Sequence, residues 1–305
     1  MLYLTYDNNK HTDGAGSQLQ RIISIYMIAK YYNIGYIHTP IRHLDYQGLK
    51  CLEANTPDLR QIDMYNNLFN LDGHINPSID DTYEILSITH DILMQYKDTD
   101  KNILLKITYG HNLIDNNTEI FNNIPELNWV SKSLSKPLDI AVHVRRGELF
   151  VVDSYRMLPN SYYIDCMKSL KTILDTNNIP FVFHLYTEIA TKNVDITPSH
   201  HGIMNRTTDI ITIRPEDSHI EDFKCFDSIQ YHINECPIET LRNLTNSDIL
   251  LASCSSFSYV AAILKPKGVV LFHPFWHSLS KKWIPTYSGD DIINNTQQIL
   301  SSIKI

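Results

Sequence analysis

An α/β fold with parallel sheets is expected from this chain on three grounds. Its strand candidates are near-continuous apolar runs rather than alternating ones, which is the pattern of strands covered on both faces. Those runs alternate with segments of helical periodicity over most of the length. The 305 residues correspond to about two domains at roughly 100–200 residues each, both large enough for a core of their own.

The first strand is Leu2–Tyr6. A polar turn leads into a helix over Ser17–Tyr32, where Leu19, Ile22, Ile23, Tyr26, Met27 and Ala29 recur at helical spacing. A second strand, Gly35–Thr39, is stopped by Pro40. The stretch 41–135 is mixed and supports helices over 58–70 and 111–122 and a strand at Ile103–Ile107. Ser-Lys-Ser-Leu-Ser-Lys-Pro at 131–137 is the linker expected between an N-terminal domain, 1–135, and a C-terminal domain, 136–305. The second domain opens with the strand Leu138–Val144, followed by a helix over Ser161–Asp175 with Ile164, Met167, Leu170, Ile173 and Leu174 inward. Strands at Phe181–Tyr186 and Ile210–Ile213, a helix at Ile238–Leu244 and a strand at Ile249–Ala252 come next. A helix at Ser256–Leu264 and a strand at Val269–Phe272 complete the sheet. Asp290–Ile303 reads as a closing helix, with the first domain as a surface it could pack back on.

Composition narrows the function. Lys and Arg number 26 against 34 Asp and Glu, a net charge of −8. A dedicated nucleic-acid binder would carry a basic surface, so an anionic ligand must meet a local positive site. Cys51, Cys166, Cys225, Cys236 and Cys254 form no C-x-x-C pair, which excludes a metal cluster and a disulfide framework. Reduced thiols are expected, with a Cys225–Cys236 bridge as the alternative. The N-terminus, MLYLTYDNNK, lacks the basic head and apolar core of a signal peptide. Serines interrupt the longest apolar stretch, Ile249–Leu264, which is too short to span a bilayer. A cytoplasmic protein without a membrane span is the expectation. No phosphate-binding G-x-x-x-x-G-K-[ST] and no G-x-S-x-G nucleophile elbow occur. Asp98-Thr99-Asp100, between Lys97 and Lys101, reads as a solvated turn rather than a metal site, and His200-His201 as surface. No metal is expected.

In parallel sheets ligands sit beyond the carboxyl ends of strands, and three loops there suit an anion. Asp13-Gly14-Ala15-Gly16-Ser17-Gln18 joins the first strand to the first helix. Its glycines admit close backbone approach, and a helix N-terminus offers N–H groups and positive potential; a plain glycine turn is the competing reading. Leu19 fills the third glycine position of a dinucleotide fingerprint and no acid ends the second strand, which disfavours a dehydrogenase. The second loop, His143-Val144-Arg145-Arg146-Gly147-Glu148, ends the strand Leu138–Val144. Alternation puts His143 and Arg145 on one face and Val144 on the other. Consecutive arginines after an apolar strand need a partner for their charge. A diphosphate fits the guanidinium fork, and an internal arginine–carboxylate bridge is the alternative. Glu148 and Asp153 follow as candidate general bases. The third loop, Ser253-Cys254-Ser255-Ser256-Phe257-Ser258, precedes a helix. Capping accounts for one or two of its serines; the others add hydroxyl donors at a positively polarised helix end.

Together these stretches resemble the fucosyltransferase superfamily that contains α-1,2-, α-1,6- and protein O-fucosyltransferases. His143–Glu148 is similar to its H-x-R-R-G-D motif, and Asp13–Leu19 to its N-terminal G-x-G-N-Q-L loop. Ile249–Ala262, with Ser255-Ser256-Phe257-Ser258 at its centre, is similar to an S-S-F-S-x-x-A stretch, and Tyr186-Thr187-Glu188 takes the place of an S/T-D-D turn. The resemblance implies a GT-B-like build, two Rossmann-like domains with a cleft between them, and an inverting, metal-independent transferase that uses GDP-fucose without a cofactor. It assigns Arg145 to the β-phosphate, His143 to the guanine side and Glu188 to the base. Gly14, Ala15, Gly16, Ser255, Ser256 and Phe257 would surround the diphosphate. Glu148 replaces the usual Asp, Ser17 the usual Asn, and Glu188 lacks a second acid after it.

The chemistry also follows from the residues. Breaking a sugar–diphosphate bond builds negative charge on the leaving phosphate, which arginine and helix N-termini stabilise. A carboxylate deprotonates the attacking acceptor hydroxyl; Asp153, farther along the loop, is favoured over Glu148. A glycan is the implied acceptor, held in the 41–130 region. The rivals are a transferase using another nucleotide sugar, a metal-dependent transferase built on Asp98 and Asp100, and a non-catalytic nucleotide-sugar or glycan binder.

Overall fold

Parallel strands form two sheets, one of four strands and one of six. A computed structural model describes residues 2–7, 13–54, 56, 58–69, 71, 81–98, 100–125, 137–150, 156–196 and 210–303. In chain order they form β1 (Leu2–Tyr6), α1 (Ala15–Tyr31), β2 (Gly35–Tyr36), α2 (Leu49–Ala54) and α3 (Leu59–Leu68). Next come β3 (Asp81–Ser87), α4 (His90–Lys97), β4 (Ile103–Tyr109), α5 (His111–Asn116), β5 (Leu138–Val144) and α6 (Asn160–Thr176). Then follow β6 (Phe181–Thr187), β7 (Val194–Ile196), β8 (Ile211–Ile213), β9 (Ile229–Ile233), α7 (Pro237–Asn246) and β10 (Ile249–Ala252). The chain closes with α8 (Ser256–Leu264), β11 (Val269–Phe272), β12 (Ile284–Pro285), α9 (Gly289–Asn294) and α10 (Thr296–Ser302).

The first of two units holds Met1–Asp45, Leu59–Asn128 and Trp276–Ser280. Its sheet runs β2-β1-β4-β3, parallel throughout. Leu19, Ile22, Ile23 and Met27 bury the inner face of α1 as their spacing requires. The second strand is shorter than expected, although the Ile37 N–H still pairs with the Leu4 carbonyl at 2.9 Å. The expected helix over 111–122 breaks at Asn117, whose side chain caps a following 3-10 turn through the Glu119 N–H.

The second unit holds Tyr46–Asp58, Trp129–Phe275 and Lys281–Ile305. Two exchanges therefore depart from a single cut near 135: Tyr46–Asp58 lies in the second unit and Trp276–Ser280 in the first. The linker at 131–136 lies outside the described residues. The six parallel strands run β9-β6-β5-β10-β11-β12. Numbered by appearance within this sheet, that order is 3-2-1-4-5-6, the doubly wound Rossmann arrangement. Winding reverses between β5 and β10, the position where such sheets bind ligands.

Leu138, Ile140, Val142 and Val144 of β5 share one core with Met167, Leu170 and Leu174 of α6. Ile292, Ile299 and Ile303 of the C-terminal segment join that same core. The closing helix thus packs on the core of the second unit, and it divides into α9 and α10 at Asn295. The strand expected at Ile210–Ile213 does not enter the parallel sheet: β8 pairs antiparallel with β7. Beside that pair, Leu49 of α2 packs with Ala190, Val194, Ile196 and Ile213. All five cysteines are free, so the alternative Cys225–Cys236 bridge does not form. No helix among the described residues is long and apolar enough to cross a membrane.

Candidate functional site

Strands β5 and β6 end in register, Val144 opposite Thr187, and Thr187 Oγ1 donates to the Val144 carbonyl at 2.7 Å. The next residue of each strand is thereby brought face to face. Arg145 Nη1 donates to Glu188 Oε2 at 2.9 Å, with the two side chains 14% and 29% exposed. The Tyr46 hydroxyl donates to the same oxygen at 2.7 Å. Its ring lies 5.1 Å from the Arg145 guanidinium carbon, within cation–π range.

Two glycine backbones enclose that carboxylate. At Gly147, φ is +67° and a Cβ would overlap the Tyr46 hydroxyl and come within 2.7 Å of Glu188 Oε2. At Gly48, φ is +99° and a Cβ would come within 2.7 Å of Glu188 Oε1. Both positions favour glycine for their torsion. The internal arginine–carboxylate bridge is therefore present, and its acid is itself an expected site residue. It engages one of the five N–H donors of the guanidinium.

The two arginines part company. Alternation turns Arg146 to the α6 side of the sheet, where it is buried, 4% exposed. There it donates to the Arg145 carbonyl at 2.8 Å and to Asn160 Oδ1, and its guanidinium lies 5.9 Å from the Tyr163 ring. Asn160, the first residue of α6, passes the contact on through its amide to the His219 carbonyl at 2.9 Å and Asp222 Oδ2 at 3.0 Å. Burial pushes the Arg146 guanidinium below its usual range. Arg146 is an internal brace for the loop, on the opposite side of the sheet from the Arg145–Glu188 pair.

Across the reversal point, His143 meets the serine loop that follows β10. Its Nδ1 contacts Ser253 Oγ at 2.9 Å and Ser258 Oγ, and the two hydroxyls are 2.9 Å apart. Burial, with Arg145 and Arg146 adding to it, pushes the His143 imidazole down to about 3, so the ring is neutral. Its ring centroid lies 5.7 Å from that of Phe257. His143 therefore fastens the arginine loop to the serine loop, and its described hydrogen bonds go to hydroxyls. The serines divide accordingly: Ser253 and Ser258 hold His143, and Ser255 caps α8 by accepting from the Phe257 N–H at 3.2 Å. Ser256 stands at the first turn of α8, 6% exposed. Cys254 Sγ lies 3.3 Å from His273 Nδ1, but burial pushes its thiol up to about 11, which rules out a resting thiolate nucleophile.

In the first unit, Gly14 caps α1 with φ −65°, a torsion any residue can adopt. What glycine offers there is close approach. Asp13 organises the turn. Its Oδ1 accepts the Gly14 N–H at 2.8 Å and its Oδ2 pairs with Arg21 at 2.9 Å, while its carbonyl accepts from the Gln18 side chain at 2.9 Å. Ala15 and Gly16 begin the helix, both half-buried.

No protein-family model and no curated protein matches this chain. Solved structures do resemble it at low identity. POFUT1 in complex with GDP is 9% identical over 89% of this chain and 99% of its own, with a TM-score of 0.41. Fucosyltransferase NodZ from Bradyrhizobium is 13% identical over 88% of this chain and 95% of its own, with a TM-score of 0.39. The iron-containing heptosyltransferase TibC in complex with ADP-D-β-D-heptose is 7% identical over 99% of this chain and 76% of its own, with a TM-score of 0.43.

Asp153 lies outside the described residues, as do Thr99 and His200-His201, and for Glu148 only the backbone is described. Asp98 ends α4. Among the described residues no three of His, Cys, Asp and Glu gather as a metal-binding set. Tyr46, Gly48 and Asn160 were missed. Asn160 stands one residue before the expected helix. Tyr46 sits 142 positions from its partner, and no local pattern marks such a pairing.

Proposed function

We propose that this protein is an inverting, metal-independent glycosyltransferase of GT-B-like build that moves L-fucose from GDP-fucose to a glycan hydroxyl. One observation carries the reading: the arginine loop after β5 and the serine loop after β10 flank the point where winding reverses in a 3-2-1-4-5-6 sheet, joined there by His143. That is where a doubly wound sheet takes a nucleotide. Sequence resemblance to the fucosyltransferase superfamily supplies the sugar and the base.

In this reading Arg145 and the N-terminus of α8 stabilise the charge that grows on the β-phosphate as the glycosidic bond breaks. Ser255, Ser256 and Phe257 line the diphosphate, and the sequence resemblance assigns Gly14, Ala15 and Gly16 to it as well. Asp153, or Glu148 in its place, takes the proton of the acceptor hydroxyl. One observation favours a second reading, a transferase using another nucleotide sugar: Glu188, expected at the guanine, is engaged by Arg145 and Tyr46.

Thermal shifts with GDP, UDP, GDP-fucose and GDP-mannose separate the two readings, because a ligand stabilises the fold in proportion to its occupancy. GDP and GDP-fucose are expected to raise Tm most, and a larger UDP shift would replace the donor assignment. Fucose release from GDP-fucose, with a panel of sugar acceptors, is expected to continue in EDTA. Nucleotide binding without release or transfer would mark a non-catalytic binder.

A further inference from the structure

Glu188 was expected to read the nucleotide base, yet its surroundings describe a different task. Its Oε2 accepts from Arg145 Nη1 at 2.9 Å and from the Tyr46 hydroxyl at 2.7 Å. Its Oε1 lies against Gly48 and its Oε2 against Gly147, both glycines in left-handed torsions. Tyr46 also supports the guanidinium from beneath with its ring. Residues 46–54 are held on this unit near their far end as well, where Glu53 accepts the Thr191 N–H and hydroxyl at 2.5 and 2.6 Å. Four backbone and side-chain groups thus converge on one carboxylate, and that carboxylate aims one arginine.

We propose that Glu188 and Tyr46 are positioning residues for Arg145: Glu188 neutralises and aims the guanidinium, and Tyr46, by sharing the same carboxylate oxygen, sets how strongly Glu188 holds it. The inference rests on the reading of Arg145 as an anion-binding group. A diphosphate arriving at Arg145 shares it with a carboxylate already in place, and the two anions repel. Removing the charge of Glu188 should then strengthen ground-state binding of the anion while loosening the aim of Arg145, which lowers turnover. Removing only the Tyr46 hydroxyl leaves Glu188 with one donor fewer, so it holds Arg145 harder and weakens anion binding. The two changes move affinity in opposite directions, which neither a merely structural role nor a base-reading role produces.

The test is calorimetric titration of wild type, Glu188→Gln and Tyr46→Phe with inorganic pyrophosphate and with GDP, alongside turnover of GDP-fucose. Glu188→Gln is expected to bind both ligands about fivefold or more tighter, the effect of removing one nearby like charge, with kcat reduced. Tyr46→Phe is expected to bind both a few-fold more weakly, and it reports alone if Glu188→Gln does not fold. Weaker GDP binding with unchanged pyrophosphate binding in Glu188→Gln would mean that the residue reads the base, and would overturn the proposal. Equal weakening of both ligands in both variants, or no change in either, would overturn it too. The parent reading fails separately: pyrophosphate bound as described, but no GDP-sugar cleaved by wild type, removes the transferase assignment and leaves the positioning roles intact.

Discussion

His143 illustrates how one buried side chain couples two loops and makes the fold sensitive to acid. Its ordinary value of 6.5 is lowered to about 3 by burial and by two neighbouring arginines. Between those values the unfolded chain binds a proton that the folded chain refuses, so stability falls as pH drops below about 6.5. Replacing it by Gln is expected to flatten the acid limb of Tm against pH, measured between pH 7 and 4; a limb as steep as that of wild type would contradict the assignment. Gly147 makes a companion prediction. Gly147→Ala forces a Cβ into the Tyr46–Glu188 contact at a left-handed torsion, and is expected to lose about 1–3 kcal/mol in urea unfolding. An unchanged midpoint would show that this contact is not held as described.

At the level of elements, much of the site was readable because strands and caps leave local marks. Leu138–Val144 and Ile249–Ala252 are continuous apolar runs, and both became adjacent central strands. The serine run after β10 announced a helix start, and Ser255 is its cap. Ser255→Ala is expected to cost about 1 kcal/mol in chemical denaturation, whereas no loss would place the cap elsewhere. The start of α6 was less legible, because the contact that fixes Asn160 reaches back to Arg146. Asn160→Leu removes the acceptor from a buried guanidinium and is expected to destabilise by about 1–3 kcal/mol; stability equal to wild type would argue against the brace. Strand β3 went unseen for a plain reason: Asp-Thr-Tyr-Glu-Ile-Leu-Ser at the rim of its sheet has no continuous apolar run.

For the whole molecule, the sequence pattern carried the class of fold but not which distant segments meet. Apolar runs alternating with helices suffice to specify parallel sheets. The exchange of Tyr46–Asp58 into the second unit depends on a small separate core, Leu49 with Val194, Ile196 and Ile213, whose members are too far apart in sequence to form a periodic signal. That exchange delivers Tyr46 to Arg145, so the least readable part of the chain supplies a contact to its most readable motif.

Whether Arg145 holds a nucleotide diphosphate beside the β5–β10 reversal, as proposed, is decided by calorimetric titration of GDP into wild type and Arg145→Ala, with Tm of the unliganded proteins showing that both are folded. GDP is expected to bind wild type and to lose at least about tenfold in affinity in Arg145→Ala, the scale of a charge-assisted hydrogen bond. Equal GDP affinity in the two folded proteins would contradict it.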